Sequence, residues 1–317
     1  MRRSTFSLLL AGPLLVVSGC GTTGTAPPAA SPSPASTAAR PPTTATPTPT
    51  VKPAVVAVPT CGPVHIPALD AHVFSQPTKI TSQWMPLVPG TRMVLEGRAN
   101  RGGGVLPHRI TFTVTDLTKL IDGVPNLVTW DVDTDKGTTS EAELAFFAQD
   151  DGGNVWNFGE YPEEYQGGKF SGAPSTWIAG LSRAEAGIQV PADVRIGTPE
   201  VLQGSSPDVE FLDCAKDVKA DGKTCVPTGC YDKVRVVDER SPLAPDSGVQ
   251  RKSYAPGVGN VQVEAVGDPE GETLVLVERT TLSATDLAKA REETRKLDKH
   301  GRDTHPVYNG SAPLQGP

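Results

Sequence analysis

The sequence carries no basic cluster, and after its first twenty residues no apolar run approaches the length that crosses a bilayer as a helix. The first absence makes nucleic acid and anionic lipid headgroups poor partners. Lys and Arg number 29 against 36 Asp and Glu, so the chain is acidic overall. The histidines His65, His72, His108, His300 and His305 form no zincin motif, and no Gly-x-Ser-x-Gly is present. These two absences exclude the common sequence signatures of zinc peptidases and of serine hydrolases. Cysteine is scarce, with five in all. No two are spaced as Cys-x-x-Cys, which disfavours a zinc knuckle.

What is present is most legible at the amino terminus. Arg2 and Arg3 precede a short apolar run from Phe6 to Val17, and Val17-Ser18-Gly19-Cys20 closes it. The run is too short for a permanent span and has the three-part order of an export signal. Its ending resembles the lipobox of bacterial lipoproteins. That resemblance implies cleavage after residue 19, acylation of Cys20 (a palmitate-type modification) and anchoring on the extracytoplasmic side of the cell membrane. An ordinary cleaved signal is the alternative. Two acyl chains hold a protein at a membrane where one is marginal. Residues 20–60 then form a Pro/Thr/Ala-rich linker without a single acid. Such a segment buries too little apolar area to offset its chain entropy. Proline stiffens it toward polyproline II, for a reach on the order of 100 Å.

Residues 61–300 are expected to form one β-rich domain. Ile110, Phe112 and Val114 alternate with Arg109, Thr111 and Thr113, the pattern of a half-buried strand. Asp122-Gly123 signals a hairpin turn, followed by a strand from Val124 to Val132. Residues 133–140 read as a polar loop, Glu141 to Gln149 as a strand, and Asn154 to Gly159 as its return. Residues 160–200 lose periodicity and read as an irregular excursion. Strands resume at Tyr231–Asp238, Val249–Tyr254, Asn260–Val266 and Glu272–Thr280, with Pro256-Gly257 as a turn. Ser283 and Asp286 form an N-cap signature for a polar helix to Lys299. Residues 301–317 are expected to be a disordered tail. The fold class is thus mainly β: an antiparallel meander forming a curved sheet or partly closed barrel, with one C-terminal helix.

Cys61, Cys214, Cys225 and Cys230 are an even set outside the cytoplasm, which points to two disulfides in one of three connectivities. Three further groups bear on function. Asp131, Asp133 and Asp135 alternate as calcium loops do, although Lys136 stands where such a loop wants glycine; the alternative is the solvent face of a strand. Aromatics concentrate between Phe146 and Trp177, and Trp156, Tyr161, Tyr165, Phe170 and Trp177 are candidate ligand contacts, with Tyr161, Tyr165 and Phe170 at a pocket rim. Carboxylates interleave with them, so a pair such as Glu160 with Glu163 or Asp150 is the basis for an alternative reading as a glycan hydrolase. Large rings also build cores, the competing explanation for the whole group.

Four segments together resemble an uncharacterised family of secreted or lipid-anchored bacterial proteins of the high-GC Gram-positive type. They are Pro86-Leu87-Val88-Pro89-Gly90-Thr91-Arg92, the Phe146 to Glu160 stretch, Trp177-Ile178-Ala179-Gly180 with Ala186-Gly187-Ile188, and Tyr254-Ala255-Pro256-Gly257-Val258-Gly259. The resemblance implies a β-rich extracytoplasmic domain and brings no catalytic residues. The leading expectation is a non-catalytic ligand-binding or envelope-interaction module, with a cell-wall glycan or a small apolar molecule as partner and no cofactor other than calcium.

Overall fold

A computed structural model describes residues 60–62, 69–100, 103–268 and 271–317. The signal segment, Cys20, the linker up to residue 59 and His65 lie outside the described residues. The strands begin with β1 (Thr91–Asn100), β2 (Val105–Ile121), β3 (Val124–Asp135), β4 (Thr138–Gln149) and β5 (Val155–Gln166). Two short strands, β6 (Lys169–Gly172) and β7 (Trp177–Ile178), follow. Next come β8 (Glu185–Val190), β9 (Val201–Ser206), β10 (Phe211–Val226), β11 (Gly229–Arg240), β12 (Val249–Ala255), β13 (Gly259–Val266) and β14 (Thr273–Thr281). The chain ends in helices α1 (Ala284–Thr304) and α2 (Pro306–Asn309).

Twelve of these strands form one antiparallel ring. The order runs β4-β3-β2-β1-β14-β13-β12-β11-β10-β9-β8-β5, and β5 pairs with β4 to close it. Closure removes the unpaired edges that an open sheet exposes. Tight hairpins set the register. Asp122-Gly123 and Lys136-Gly137 each place two consecutive residues at positive φ, the geometry of two-residue turns that match strand twist. The second turn corrects the loop expected at 133–140, because Asp133–Asp135 and Thr138–Ser140 continue the strands. The expected irregular stretch at 160–200 is likewise corrected: it holds the second half of β5 and strands β6 to β8.

Period-two alternation divides the apolar residues between two cores. Inside the ring, Leu95, Ile110, Phe112, Leu127, Phe147, Val155, Val190, Val234, Tyr254 and Val263 pack together. The segment carrying Ile80, Trp84, Met85 and Leu87 plugs one end of this interior. It is fastened by Gln149, whose Oε1 accepts from the Thr81 and Ser82 amides at 2.8 Å, and by the Gly257 amide donating to the Gln83 carbonyl at 2.7 Å. Outside the ring, Leu117, Val128, Leu144, Phe146, Trp156, Phe158 and Tyr161 form the second core, under Leu297 of α1 and Tyr308 of α2.

Helix α1 starts as its sequence requires: the Ser283 side chain accepts from the Asp286 amide. It runs five residues beyond Lys299. Gly301 lies inside it because a Cβ there would sit 2.6 Å from Cζ of Tyr161. The expectation of a disordered 301–317 is therefore corrected. Tyr308 is fully buried, and Thr118 and Gln315 exchange two backbone hydrogen bonds of 2.9 and 2.8 Å. Full burial of a ring such as Tyr308 stabilises by about 1.5–3 kcal/mol.

The four cysteines pair as Cys61–Cys214 and Cys225–Cys230. The first ties the start of the domain to β10. The second spans the end of the β10–β11 hairpin, where the two residues face each other in register.

Candidate functional site

The interior has two halves of different chemistry. Next to the plug it is apolar. Toward the opposite end, marked by the exposed Lys136-Gly137 turn, the inward positions carry charge. On β3 these are Asp131, Asp133 and Asp135, opposite Phe112, Ile110 and His108 of β2. On β4 they are Glu141 and Glu143, and on β5 Glu160, which pairs with the inward Ala145. Asp131, Asp133, Glu141, Glu143 and Glu160 are all buried. The alternative reading of the aspartates as a solvent face is thus corrected: the same alternation points them into the ring. Among the described residues no group of three or more His, Cys, Asp or Glu side chains is arranged to hold a metal ion.

Among the described residues three inward cations, His108, Lys252 and Arg235, each have a carboxylate. His108 Nδ1 lies 2.7 Å from Asp135, and its Nε2 is 3.3 Å from Glu272 and 3.6 Å from Asp133. Burial by itself lowers the pKa of His108; the hydrogen bond to Glu272 and the charges of Asp133 and Glu272 outweigh it and raise it to about 9. Lys252 Nζ donates to Glu239 at 2.6 Å. Arg235 holds Asp217 through Nε and Nη2 at 2.6 and 2.9 Å, near the plug. A cavity lined by Ile110, Phe112, Leu274, Lys252 and Glu272 marks where the apolar and charged halves meet.

Beside the carboxylates stands one of the expected aromatic contacts. Trp177 Nε1 donates to Glu160 Oε2 at 3.3 Å, while Asn157 Nδ2 donates to Oε1 at 2.7 Å. The indole stacks on Phe211 with ring centroids 4.9 Å apart. Its close approach to β9 requires a glycine: a Cβ on Gly204 would lie 2.7 Å from the Trp177 ring. Burial first, then the charges of Glu160 and Glu141, hold the Glu143 carboxyl well above the usual carboxylate range.

The other four expected aromatics lie elsewhere, so the five do not form one site. Trp156 packs edge-on against Phe74 in the outer core and donates to Asp150 at 2.8 Å. Tyr161 is not at a rim; it is fully buried against Tyr308, ring centroids 4.3 Å apart. Tyr165 and Phe170 meet each other at the outer surface, near His300 of α1. There Glu163 accepts from the Tyr161 and Tyr165 hydroxyls at 2.7 Å each, and His300 Nδ1 lies 2.5 Å from it. The register places Glu163 opposite the outward Ala142 and Glu160 opposite the inward Ala145. The proposed pair Glu160 and Glu163 is thus split across the two faces of the sheet. Asp150 is occupied in its turn by Asn154 and Trp156. Sequence reasoning missed His108, Glu143, Glu239, Lys252 and Glu272 as members of one interior. Only ring closure brings β2, β4, β11, β12 and the residue before β14 together.

No protein-family model matches the sequence, and no curated protein matches it. Among solved structures, a Bacteroides fragilis protein assigned as exported and to a YmcC-like fold aligns at 13% identity, over 63% of this chain and 99% of that one, with a TM-score of 0.34. A Parabacteroides distasonis protein assigned as a lipoprotein aligns at 15% identity over the same shares, with a TM-score of 0.29. Similarity at these scores carries no argument about this chain.

Proposed function

We propose that the protein is an exported ligand-binding module, anchored through a lipid on Cys20, that takes its ligand inside the ring without transforming it. One observation carries this reading: half of the ring interior is lined by carboxylates. Removing charge from water is costly even when it is paired. A ring built for stability alone would continue the apolar packing of its plugged half. Retaining acids there weakens the fold, and such violations of ordinary core chemistry mark functional positions. The split between Glu160 and Glu163 removes that pair as the basis of the glycan-hydrolase alternative, which needs two carboxyls facing each other across a cleft. A charged interior also favours a polar or charged ligand over a wholly apolar one.

The test is native mass spectrometry of the protein extracted in mild detergent from bacterial membranes. The expected spectrum shows an added mass that is absent in the Ala145→Trp variant, whose larger inward ring fills the interior. An unchanged added mass in that variant, or none in either protein, overturns the reading. The anchor is tested apart from the ligand: Cys20→Ala is expected to release the protein from the membrane fraction, and full retention contradicts lipidation.

A further inference from the structure

The charged half of the interior holds polar atoms that its own side chains leave unanswered. Glu143 is 4% exposed, points inward from β4, and its Oε1 has no hydrogen-bond partner. Gln203 of β9 is fully buried, and its side-chain nitrogen donates to the Gln189 carbonyl at 2.9 Å and to Glu239 at 3.0 Å. Both partners are acceptors, so they fix the amide orientation and turn Oε1 of Gln203 away from them. That oxygen also lacks a partner. A buried acceptor without a donor costs about 1–3 kcal/mol, and a charged one more. Both unanswered atoms can accept a hydrogen bond, and one belongs to a carboxyl group, held in its neutral form by burial and its acidic neighbours, that a bound cation would ionise.

The surroundings share that polarity. Glu160 and Glu141 act on Glu143 as like charges. The inward cations Lys252, Arg235 and His108 are engaged by Glu239, by Asp217, and by Asp135 with Glu272. Trp177 adds an aromatic ring, fixed to Glu160 by its indole N–H and backed by Phe211, and such rings attract cations at their faces. A ligand that answers this set brings N–H donors and positive charge together.

We infer that the interior beside Glu143, Glu160, Gln203 and Trp177 is a binding site for an organic cation bearing N–H groups, an alkylammonium or guanidinium compound. The inference rests on the interior being a ligand site at all, and it adds the chemical class. Glu143 and the Gln203 oxygen accept N–H bonds, Glu160 supplies charge, and Trp177 covers an adjoining methylene or the cation itself.

The test is isothermal titration of the detergent-purified protein with spermidine at low ionic strength, repeated with agmatine, tetraethylammonium and calcium. Spermidine or agmatine is expected to bind saturably, with tetraethylammonium, which has no N–H, at least tenfold weaker. Removing one charge-assisted hydrogen bond weakens binding by about tenfold or more, so Glu143→Gln is expected to lose at least that factor. Glu163→Gln, on the outer face, is expected to bind as the parent does. Circular dichroism melts of both variants confirm that they are folded. No saturable binding of either N–H cation, saturation by calcium alone, or equal losses in the two variants overturns the inference. The two levels separate cleanly. An added mass that is neutral and sensitive to Ala145→Trp, with no spermidine or agmatine binding, defeats the cation class and leaves the interior site standing. Absence of any added mass together with no titration heat defeats both.

Discussion

Removing the carboxylate of Asp298 should loosen the C-terminal helix from the ring, and the size of the effect follows from the geometry. Lys119 of β2 is fully buried beneath α1. Its ammonium donates to Asp298 at 3.1 Å and lies over the Tyr308 ring, 4.2 Å from the centroid. Tyr308 donates its hydroxyl to the same carboxylate at 2.7 Å. Burial, opposed by Asp298, brings the Lys119 pKa down to about 8. Asp298→Ala leaves a buried ammonium and a buried hydroxyl without their acceptor. Breaking a buried pair from one side costs about 3–5 kcal/mol. For a domain of this size that is a fall of roughly 6–20 °C in melting temperature. The double variant Lys119→Met with Asp298→Leu removes both charges and should recover most of the loss, because an apolar pair of similar volume is often neutral or better. The pH dependence has a definite sign. Between pH 8 and the ordinary lysine value the unfolded chain holds a proton that folded Lys119 has released, so stability rises with pH, by up to about 3 kcal/mol. Tyr308, held well above its ordinary value by burial, acts oppositely and closes this window above about pH 10. Urea denaturation of the parent and both variants at pH 7 and pH 9.5 reads all of this. A single variant within 1 kcal/mol of the parent, or a double variant worse than the single, refutes the reasoning.

Gly301→Ala sets two effects against each other: alanine gains about 1 kcal/mol of helix propensity, but its Cβ would sit 2.6 Å from Tyr161 and 2.8 Å from Tyr308. Overpacking costs about 1–3 kcal/mol, so a net loss of about 1 kcal/mol in urea denaturation is expected, and a gain contradicts the packing. Opening Cys61–Cys214, which closes a separation of 153 residues, should destabilise by about 5 kcal/mol in the chain-entropy description, against about 2 kcal/mol for Cys225–Cys230 with a separation of 5. Paired Cys→Ser variants melted side by side test that order. Histidine titration has the opposite sign to Lys119. Folded His108 keeps its proton to about pH 9, so its contribution is complete below about pH 6.5 and is lost as pH rises through 9. His108→Gln should flatten that part of the stability curve, and an unchanged slope would contradict the pairing with Asp135 and Glu272.

Strands from Tyr231 to Thr280 were readable from their apolar alternation, with glycine turns at Pro256-Gly257 and Gly267 marking two of the ends. The N-cap at Ser283 was readable from two residues. The helix end was not, since Gly301 carries the local mark of a stop and only Tyr161, distant in sequence, explains why the helix continues through it. Asp131, Asp133 and Asp135 were readable as an alternating set, yet alternation alone does not say which face is inside. The β4–β5 hairpin was readable, but the answer depends on β5 also meeting β8, the pairing that completes the ring and that no local pattern encodes. The same gap separated the aromatics. Trp156 and Tyr161 went to the outer core and Trp177 to the interior, although they are neighbours in sequence with similar chemistry. The acidic interior is therefore a property of ring closure, assembled from single inward residues on many strands.

The most direct measurement of the interior-site proposal is a crystal structure of the protein grown with spermidine. Density for the ligand is expected inside the ring, with a nitrogen within hydrogen-bond distance of Glu143 Oε1 and a methylene on Trp177. Ligand found only on the outer face, beside Glu163 and His300, or an interior unchanged at saturating spermidine, would contradict it.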